Sequence, residues 1–505
     1  MDWATQHSHT PKVSFDGGDL TCGNGLLLLI RKHIDPLNPS ELLEIRSTDA
    51  TVEVELPAWC RLTKNELVSA TRQGNLRSFL ISKGPFLPAQ KQTEPVPLKA
   101  ATQPSPSRTT PPPKGPQPIP PLSVMGIGSW PRPRWLLEAL HNRLSNRLSE
   151  EQFQQYADDA VRLVVAAQER AGVDVITDGE QRRDNYASFV GNRLDNCQLI
   201  PITDLLPYVD DPEHFARELE SLDVPAEQVR HPAVFGRIER NRPLTVHELT
   251  RLQRITEKPI KIALPGPYLL TRTMWLECVS DRAYPNREEL AADLVTVLRD
   301  EIEALLNAGT SLVQLDEPVL TEVVFTRPTS GRTFMCGALG EKRPPEQELA
   351  FAQHLLSQTL KGFPQERLAL HICRGNWTKD ERVALTGPYT PLLGLLQAIP
   401  VGTYFLEMAT PRAGELDVLK ELPANSRIGL GVVNQKEDRV ETVEEIVQKA
   451  EKALAIFGPE RLLLNPDCGF ATFADNPIAS AEIAEAKLAN IVEAAKILRS
   501  RYSIS

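Results

Sequence analysis

The alternation of apolar and polar positions divides the chain into three parts. From residue 122 to 505 one pattern recurs: an amphipathic helix, a glycine stop, then a short apolar strand ending in a polar or acidic residue. The clearest helix opens with the capping-box pair Ser149 and Gln152, runs through Tyr156, Val161 and Leu163, and stops at Gly172. The apolar run after it ends in Asp178-Gly179-Glu180. A second copy caps at Asn286 with Glu289 three residues on, stops at Gly309, and leads into an apolar run before Asp316-Glu317-Pro318. Strands of this type are predicted at 124–129, 174–179, 260–265, 312–316, 368–373, 403–408, 428–433 and 461–466. Eight such strands with intervening helices predict an α/β fold of the (β/α)8 TIM-barrel type, with the polar strand ends gathered on the C-terminal face where such barrels build their sites. A doubly wound open sheet is the alternative, but no Gly-x-Gly-x-x-Gly turn follows an early strand.

Residues 10–84 read as strand, helix, strand, helix, strand, at 13–15, 26–34, 42–45, 59–68 and 76–82. This predicts a small two-layer α/β sandwich domain with Cys22 at a helix N-terminus. Residues 85–121 hold about a third of the 42 prolines and almost no large apolar residue, the composition of a semi-rigid, extended linker.

A length of 505 residues accommodates two or three domains. The net charge of −10 and a pI near 5.6 argue against a general binder of nucleic acid or anionic membranes. The opening Met-Asp-Trp-Ala-Thr-Gln-His-Ser lacks the basic and apolar regions of a secretory signal, and the apolar run 26–30 is too short to span a bilayer. Seven cysteines, an odd number in so long a chain, suggest thiol chemistry in a reducing cytoplasm rather than a disulfide framework.

The candidate chemistry lies in the last third. His371 and Cys373 in Leu-Ala-Leu-His-Ile-Cys, Glu407 in Tyr-Phe-Leu-Glu-Met and Cys468 in Asn-Pro-Asp-Cys-Gly each end an apolar run. One buried cysteine or histidine alone is usually a core residue. Together at strand ends, the imidazole, carboxylate and two thiolates form a ligand set for Zn(II), and the His-x-Cys spacing puts two ligands on one face of a strand end. Such a site is formally about −1, a poor Lewis acid for water but suited to holding another thiol as an electron-rich thiolate. The chemistry implied is alkylation at sulfur.

Six stretches in order carry a family resemblance: Ile127-Gly128-Ser129-Trp130-Pro131; Gly179-Glu180-Gln181-Arg182-Arg183-Asp184; Lys258-Pro259-Ile260-Lys261 with Pro265-Gly266-Pro267; Gln314-Leu315-Asp316-Glu317-Pro318; His371-Ile372-Cys373; and Asn465-Pro466-Asp467-Cys468-Gly469. Residues 122–505 thereby resemble the catalytic domain of cobalamin-independent methionine synthase. The resemblance implies zinc on His371, Cys373, Glu407 and Cys468, and an amino-acid thiol, homocysteine, at Ile127, Gly128, Ser129, Glu180 and Asp316. Backbone N–H groups and the Ser129 hydroxyl suit a carboxylate, and the two acids suit an ammonium. Arg230, His231 and Glu322 align with positions that contact the methyl donor.

Three departures stand out. A small module and linker replace the family's N-terminal second barrel, Lys436 falls where the catalytic histidine is found, and Thr273 falls near the position of the tryptophan that packs on the pterin, with Trp275 the nearest aromatic. The first two, with the run His371 to Asn376, are similar to the short core methionine synthases and to epoxyalkane:coenzyme M transferase. The donor therefore stays open between 5-methyltetrahydrofolate, a methylated corrinoid protein and another carrier. Residues 12–84 resemble the TusA/SirA-like sulfur carriers through Leu20-x-Cys22, Glu41 to Ile45, Thr48-Asp49 and Pro57 to Cys60, with Gly23 where that family has proline. This implies a persulfide on Cys22, a thiol pKa lowered by the helix N-terminus, and a sulfurtransferase or cysteine desulfurase as partner. The reading is a cytoplasmic zinc methyltransferase acting on homocysteine, with Glu180, Asp316 and Lys436 as catalytic groups. Its rivals are a transferase fed with persulfide sulfur by Cys22 and a sulfur-relay adaptor without turnover.

Overall fold

The computed structural model describes residues 3–22, 25–87, 115–144, 147–208, 213, 216, 219–220, 229–276, 280, 283–325, 343–475 and 477–504. Gly23 and most of the proline-rich segment, 88–114, lie outside the described residues. The chain separates into two compact units, residues 1–112 with 278–282, and residues 113–277 with 283–505.

The first unit is a mixed sheet of β1 (Trp3–Ala4), β2 (Val13–Asp16), β3 (Leu42–Ser47), β4 (Glu66–Gln73) and β5 (Leu76–Ser82) in the order β1-β4-β5-β3-β2. Helices Leu26–Ile34 and Val52–Leu62 bury Leu26, Ile30, Ile34, Val52, Leu56 and Trp59 against Leu43, Ile45, Phe79 and Ile81. The helix expected at 59–68 begins earlier and ends earlier. Its buried stripe Val52, Leu56, Trp59, Cys60 has helical spacing that already starts before Pro57, and Glu53 and Glu55 suit its N-terminus. Lys64, at φ 59, turns the chain out of the helix, and β4 then pairs antiparallel with β5 across Gly74.

In the second unit, β8 (Lys261–Pro265), β9 (Leu312–Asp316), β10 (Leu368–Ile372), β11 (Thr403–Leu406), β12 (Arg427–Val433) and β13 (Leu462–Pro466) form a parallel sheet in sequential order. The two remaining predicted strands are reduced to single parallel bridges. Val124 pairs with Leu464 of β13, Met125 with Val175, and Ile176 with Ile260, next to β8, so these segments connect one edge of the sheet to the other. The antiparallel pair β6 (Asp195–Pro201) and β7 (Arg230–Glu239) was not anticipated.

Helix limits follow the caps. Ser149 and Gln152 form the full capping box of Glu150–Ala171, which ends at Gly172 with φ 86. Its buried face is Phe153, Ala157, Ala160, Val161, Val164 and Val165, whereas Tyr156 and Leu163 face outward. Asn286 accepts the Glu289 N–H at 3.0 Å and opens Arg287–Asn307. Among the described residues no helix is long and apolar enough to cross a membrane. The start of the second unit packs along its flank: the Gln117 N–H donates to Ser311 Oγ at 3.1 Å, and the Ile119 carbonyl accepts Arg427 at 2.8 Å.

One buried ion pair anchors the segment that carries Glu180. Arg183 Nη2 donates to Glu248 at 2.6 Å and to the Ala263 carbonyl at 2.9 Å, and its guanidinium lies 4.4 Å from the Phe189 ring centre. Removing one partner strands the other charge, so Glu248→Ala is expected to cost about 3–5 kcal/mol. Urea unfolding should show a lower midpoint with an unchanged slope.

Candidate functional site

The strand ends bring the site together because β8 to β13 run parallel and in sequential order. Asp316 closes β9, His371 lies in β10, Glu407 follows β11 and Cys468 follows β13. Ile127, Ser129, Glu180, Asp316, His371, Cys373 and Cys468 line one cavity of about 450 Å³, with Tyr186, Asn376, Gly469 and Thr472.

Cys373, Glu407 and Cys468 offer ligand atoms all within 4.8 Å of one another. The two sulfurs are 3.4 Å apart, and the Cys468 thiol is pushed well above its usual range, first by its hydrogen bond to Cys373 and then by burial. Cys373 Sγ accepts the Gly375 N–H at 3.3 Å. Glu407 Oε1 accepts the Arg374 N–H at 2.7 Å, and Oε2 lies 3.2 Å from Arg412. Two buried thiols and a buried carboxylate fit a borderline-soft divalent cation. His371 lies outside that tight group but lines the same cavity. Its Nδ1 is 2.9 Å from Asp316 Oδ1, and its buried Nε2 meets no hydrogen-bond partner among the described residues. An imidazole tied through one nitrogen to a carboxylate and bare at the other has the form of a metal ligand.

Glu180 and Ser129 line the same cavity. Glu180 adopts a left-handed backbone, φ 55, held where its N–H donates to Asp178 Oδ1 at 2.9 Å. Its carboxyl comes so close to Gly128 that a Cβ there would lie 2.3 Å from Oε1. Burial pushes Glu180 up to about 7, with Arg183 opposing, and Oε2 has no partner among the described residues. That acceptor suits an ammonium. Ser129 lies against Gly469, where a Cβ would meet Oγ at 2.1 Å, so the loop after β13 can close on the hydroxyl only at glycine.

The other predicted residues divide. Arg230 and His231 line a second cavity of about 490 Å³, which shares Tyr186 and Thr472 with the first and includes Thr273, Trp377 and Phe473. Burial pulls His231 down to about 4, so its imidazole is neutral near pH 7. Glu322, buried on helix Val319–Phe325, is not among the residues lining either cavity. Lys436 lines neither; its Nζ donates to the Thr378 carbonyl at 2.6 Å, tying down the loop after β10. Trp275 is buried in a separate cluster with Leu270 and Met274.

Cys22 corrects an expectation. Its thiol is buried and pushed up to about 12, first by burial and then by Glu55. It also stands apart from helix Leu26–Ile34, whose cap is Gly25, so desolvation and a carboxylate outweigh the helix N-terminus.

Sequence reasoning missed Asn376, Tyr186, Thr472 and Arg412. Asn376, within the Cys373-Arg374-Gly375-Asn376 run, donates to the Gly469 carbonyl at 2.8 Å and so joins two loops of the site. Its adjacency to Cys373 was the available signal.

The family described as "Cobalamin-independent synthase, Catalytic domain" matches residues 122–343 and 367–497. The chain is 28% identical over 383 residues to a methionine synthase of Saccharolobus solfataricus, covering 75% of this chain and 96% of that protein. It is 29% identical over 384 residues to a methionine synthase of Thermococcus kodakarensis, covering 76% and 94%. Among solved structures it is similar in fold to the B12-independent methionine synthase of Shewanella sp. W3-18-1 in complex with selenomethionine, with TM-score 0.57, 22% identity, and coverage of 76% of this chain and 99% of that one. With its thiol and carboxylate pairs at the ends of parallel strands and a family match over most of its length, the chain belongs to the cobalamin-independent synthase catalytic-domain family.

Proposed function

We propose that this chain is a zinc-dependent methyltransferase that moves a methyl group to the sulfur of homocysteine, giving methionine. The observation that carries this reading is one cavity lined both by Cys373 and Cys468, which group with Glu407, and by Ser129, Glu180 and Asp316. We read the second unit as a (β/α)8 barrel, supported by the bridges that join its sheet edges through segments 124–125 and 175–176.

The four residues His371, Cys373, Glu407 and Cys468 would hold zinc, which supplies a site where an incoming thiol is kept deprotonated yet nucleophilic. The backbone of 127–129 and the Ser129 hydroxyl hold the substrate carboxylate. Glu180 Oε2 and Asp316 Oδ2 take the ammonium, since Gln314 and His371 both use Asp316 Oδ1. Arg412 and the Arg374 N–H would hold the Glu407 carboxylate if an arriving thiol displaced it. The methyl donor, 5-methyltetrahydrofolate or another carrier, occupies the adjoining cavity beside Arg230, His231 and Trp377, and the S–C bond forms as the donor–methyl bond breaks. Lys436 supports the loop after β10 rather than reaching the reactants. The decisive experiment is mass spectrometry of homocysteine incubated with zinc-loaded protein and a panel of methyl donors. Methionine with one of them is expected, and none with any donor would overturn the reading.

The first unit contains the expected strands and helices with β1 and β4 added, but a buried Cys22 thiol at about 12 is a poor nucleophile. We read it as a docking module of a cytoplasmic enzyme, not a sulfur donor. Incubation with a cysteine desulfurase and cysteine should leave no persulfide on Cys22, and Cys22→Ser should leave methionine formation unchanged.

Replacing Cys373 or Cys468 by serine should take the zinc content from about one per chain to a small fraction of that, with the far-UV spectrum intact. Elemental analysis after dialysis reads the loss. Glu180 must be ionised to take the ammonium, and its pKa is raised to about 7. The value of kcat/KM for homocysteine should therefore fall as pH drops below about 7. Glu180→Gln should flatten that limb and lower kcat/KM about 10–100-fold, the loss of a charge-assisted bond.

A further inference from the structure

Beneath the cavity, four side chains from three neighbouring strands form one hydrogen-bonded row. Lys261 Nζ of β8 donates to Gln314 Oε1 of β9 at 2.7 Å, and Gln314 Nε2 donates to Asp316 Oδ1 at 2.7 Å. His371 Nδ1 of β10 lies 2.9 Å from that same oxygen. The parallel register sets this up, because Ala263 pairs with Gln314, and Asp316 pairs with His371. All four residues are buried, and Lys261 Nζ also lies 4.3 Å from the Phe405 ring centre.

The row has a direction. An ammonium has only donors, so Gln314 must turn its oxygen to Lys261 and its amide N–H to Asp316. The Asp316 oxygen then accepts on that side, and the imidazole completes the row by donating from Nδ1. Nε2 is left with its lone pair in the buried position that lacks a protein partner. Burial lowers the Lys261 pKa to about 7 while Asp316 and Glu180 oppose the fall, and either protonation state retains an N–H for Gln314.

We propose that Lys261 is a positioning residue for the metal centre, acting through Gln314 and Asp316 to hold His371 in the tautomer and orientation in which Nε2 can ligate. This rests on reading His371 as a ligand. Lys261 touches neither substrate nor metal; its part is to fix the polarity of the row, as outer-shell partners of ligating histidines do.

The test is a double-variant cycle on the full chain, read by zinc affinity in competition with a chelator and by the absorption spectrum of the Co(II)-loaded protein. Lys261→Met should weaken zinc binding about 10–100-fold and shift the Co(II) d–d bands, while thiolate-to-cobalt charge transfer persists. In a His371→Ala background the same change should add little further loss, because its effect passes through that imidazole. Gln314→Leu should repeat both results and carries the cycle if Lys261→Met does not fold. Unchanged affinity and spectrum in a folded Lys261→Met protein would overturn the proposal while leaving the metal reading intact, as would a penalty of equal size in the His371→Ala background. Failure of the unaltered protein to bind zinc would overturn both.

Discussion

Buried negative charge is the constraint on which the rest of the site depends. Glu180, Asp316, Glu407 and Asp467 are all buried around two thiols. An uncompensated buried carboxylate costs several kcal/mol, so the surroundings are organised to answer it. Arg412 lies 3.2 Å from Glu407 and 4.0 Å from Asp467, whose Oδ1 also accepts the N–H groups of Met408 and Ala409 at 2.8 Å each. Arg183 lies 3.7 Å from Glu180, and Lys261 acts on Asp316 through Gln314. The compensation is incomplete, since Glu180 and Asp467 are both pushed up to about 7 by burial. That excess weakens the fold, and the same excess makes the site suited to positively charged ligands.

Geometry serves this electrostatic purpose. The segments carrying Ser129 and Glu180 are attached to the sheet by isolated bridges rather than by ladders, which leaves their backbones able to bend over the cavity. Glu180 departs from extended geometry altogether, and Arg183 locks its neighbourhood to Glu248 and the Ala263 carbonyl. A strained carboxylate fixed by a buried ion pair cannot relax toward solvent, so it stays directed into the cavity.

Much of this was legible in the sequence, for a physical reason. In a parallel sheet taken in chain order, the ends of successive strands must meet, so acids, thiols and the imidazole that end apolar runs predict their own convergence. Capping residues such as Ser149 and Asn286 marked helix starts because their side chains satisfy N–H groups that no helix can satisfy itself. Contacts created by register were not legible. Lys261 and Gln314 sit inside runs that read as strand core, and only the pairing of β8, β9 and β10 turns them into a directed row. Strand β4 was obscured because Pro57 reads as a helix start, although the buried stripe begins at Val52. The β6–β7 pair went unseen because nothing local links segments so far apart in sequence.

The cysteines show why a motif underdetermines chemistry. Cys22, Cys373 and Cys468 are all buried, and burial pushes the Cys22 and Cys468 thiols up. What differs is the group that faces the sulfur. Glu55 and Asp49 face Cys22, so carboxylates reinforce desolvation and the proton stays. Cys373 instead accepts the Gly375 N–H at 3.3 Å and the Cys468 S–H at 3.4 Å, with the Glu407 carboxylate beside both sulfurs. Two sulfurs and a carboxylate whose ligand atoms lie within 4.8 Å of one another form a donor set that a cation would draw together, and binding one would release the thiol protons. A cysteine before a helix and a cysteine after a strand look equally reactive as sequence; whether other ligand groups are gathered with the sulfur decides which one suits a cation.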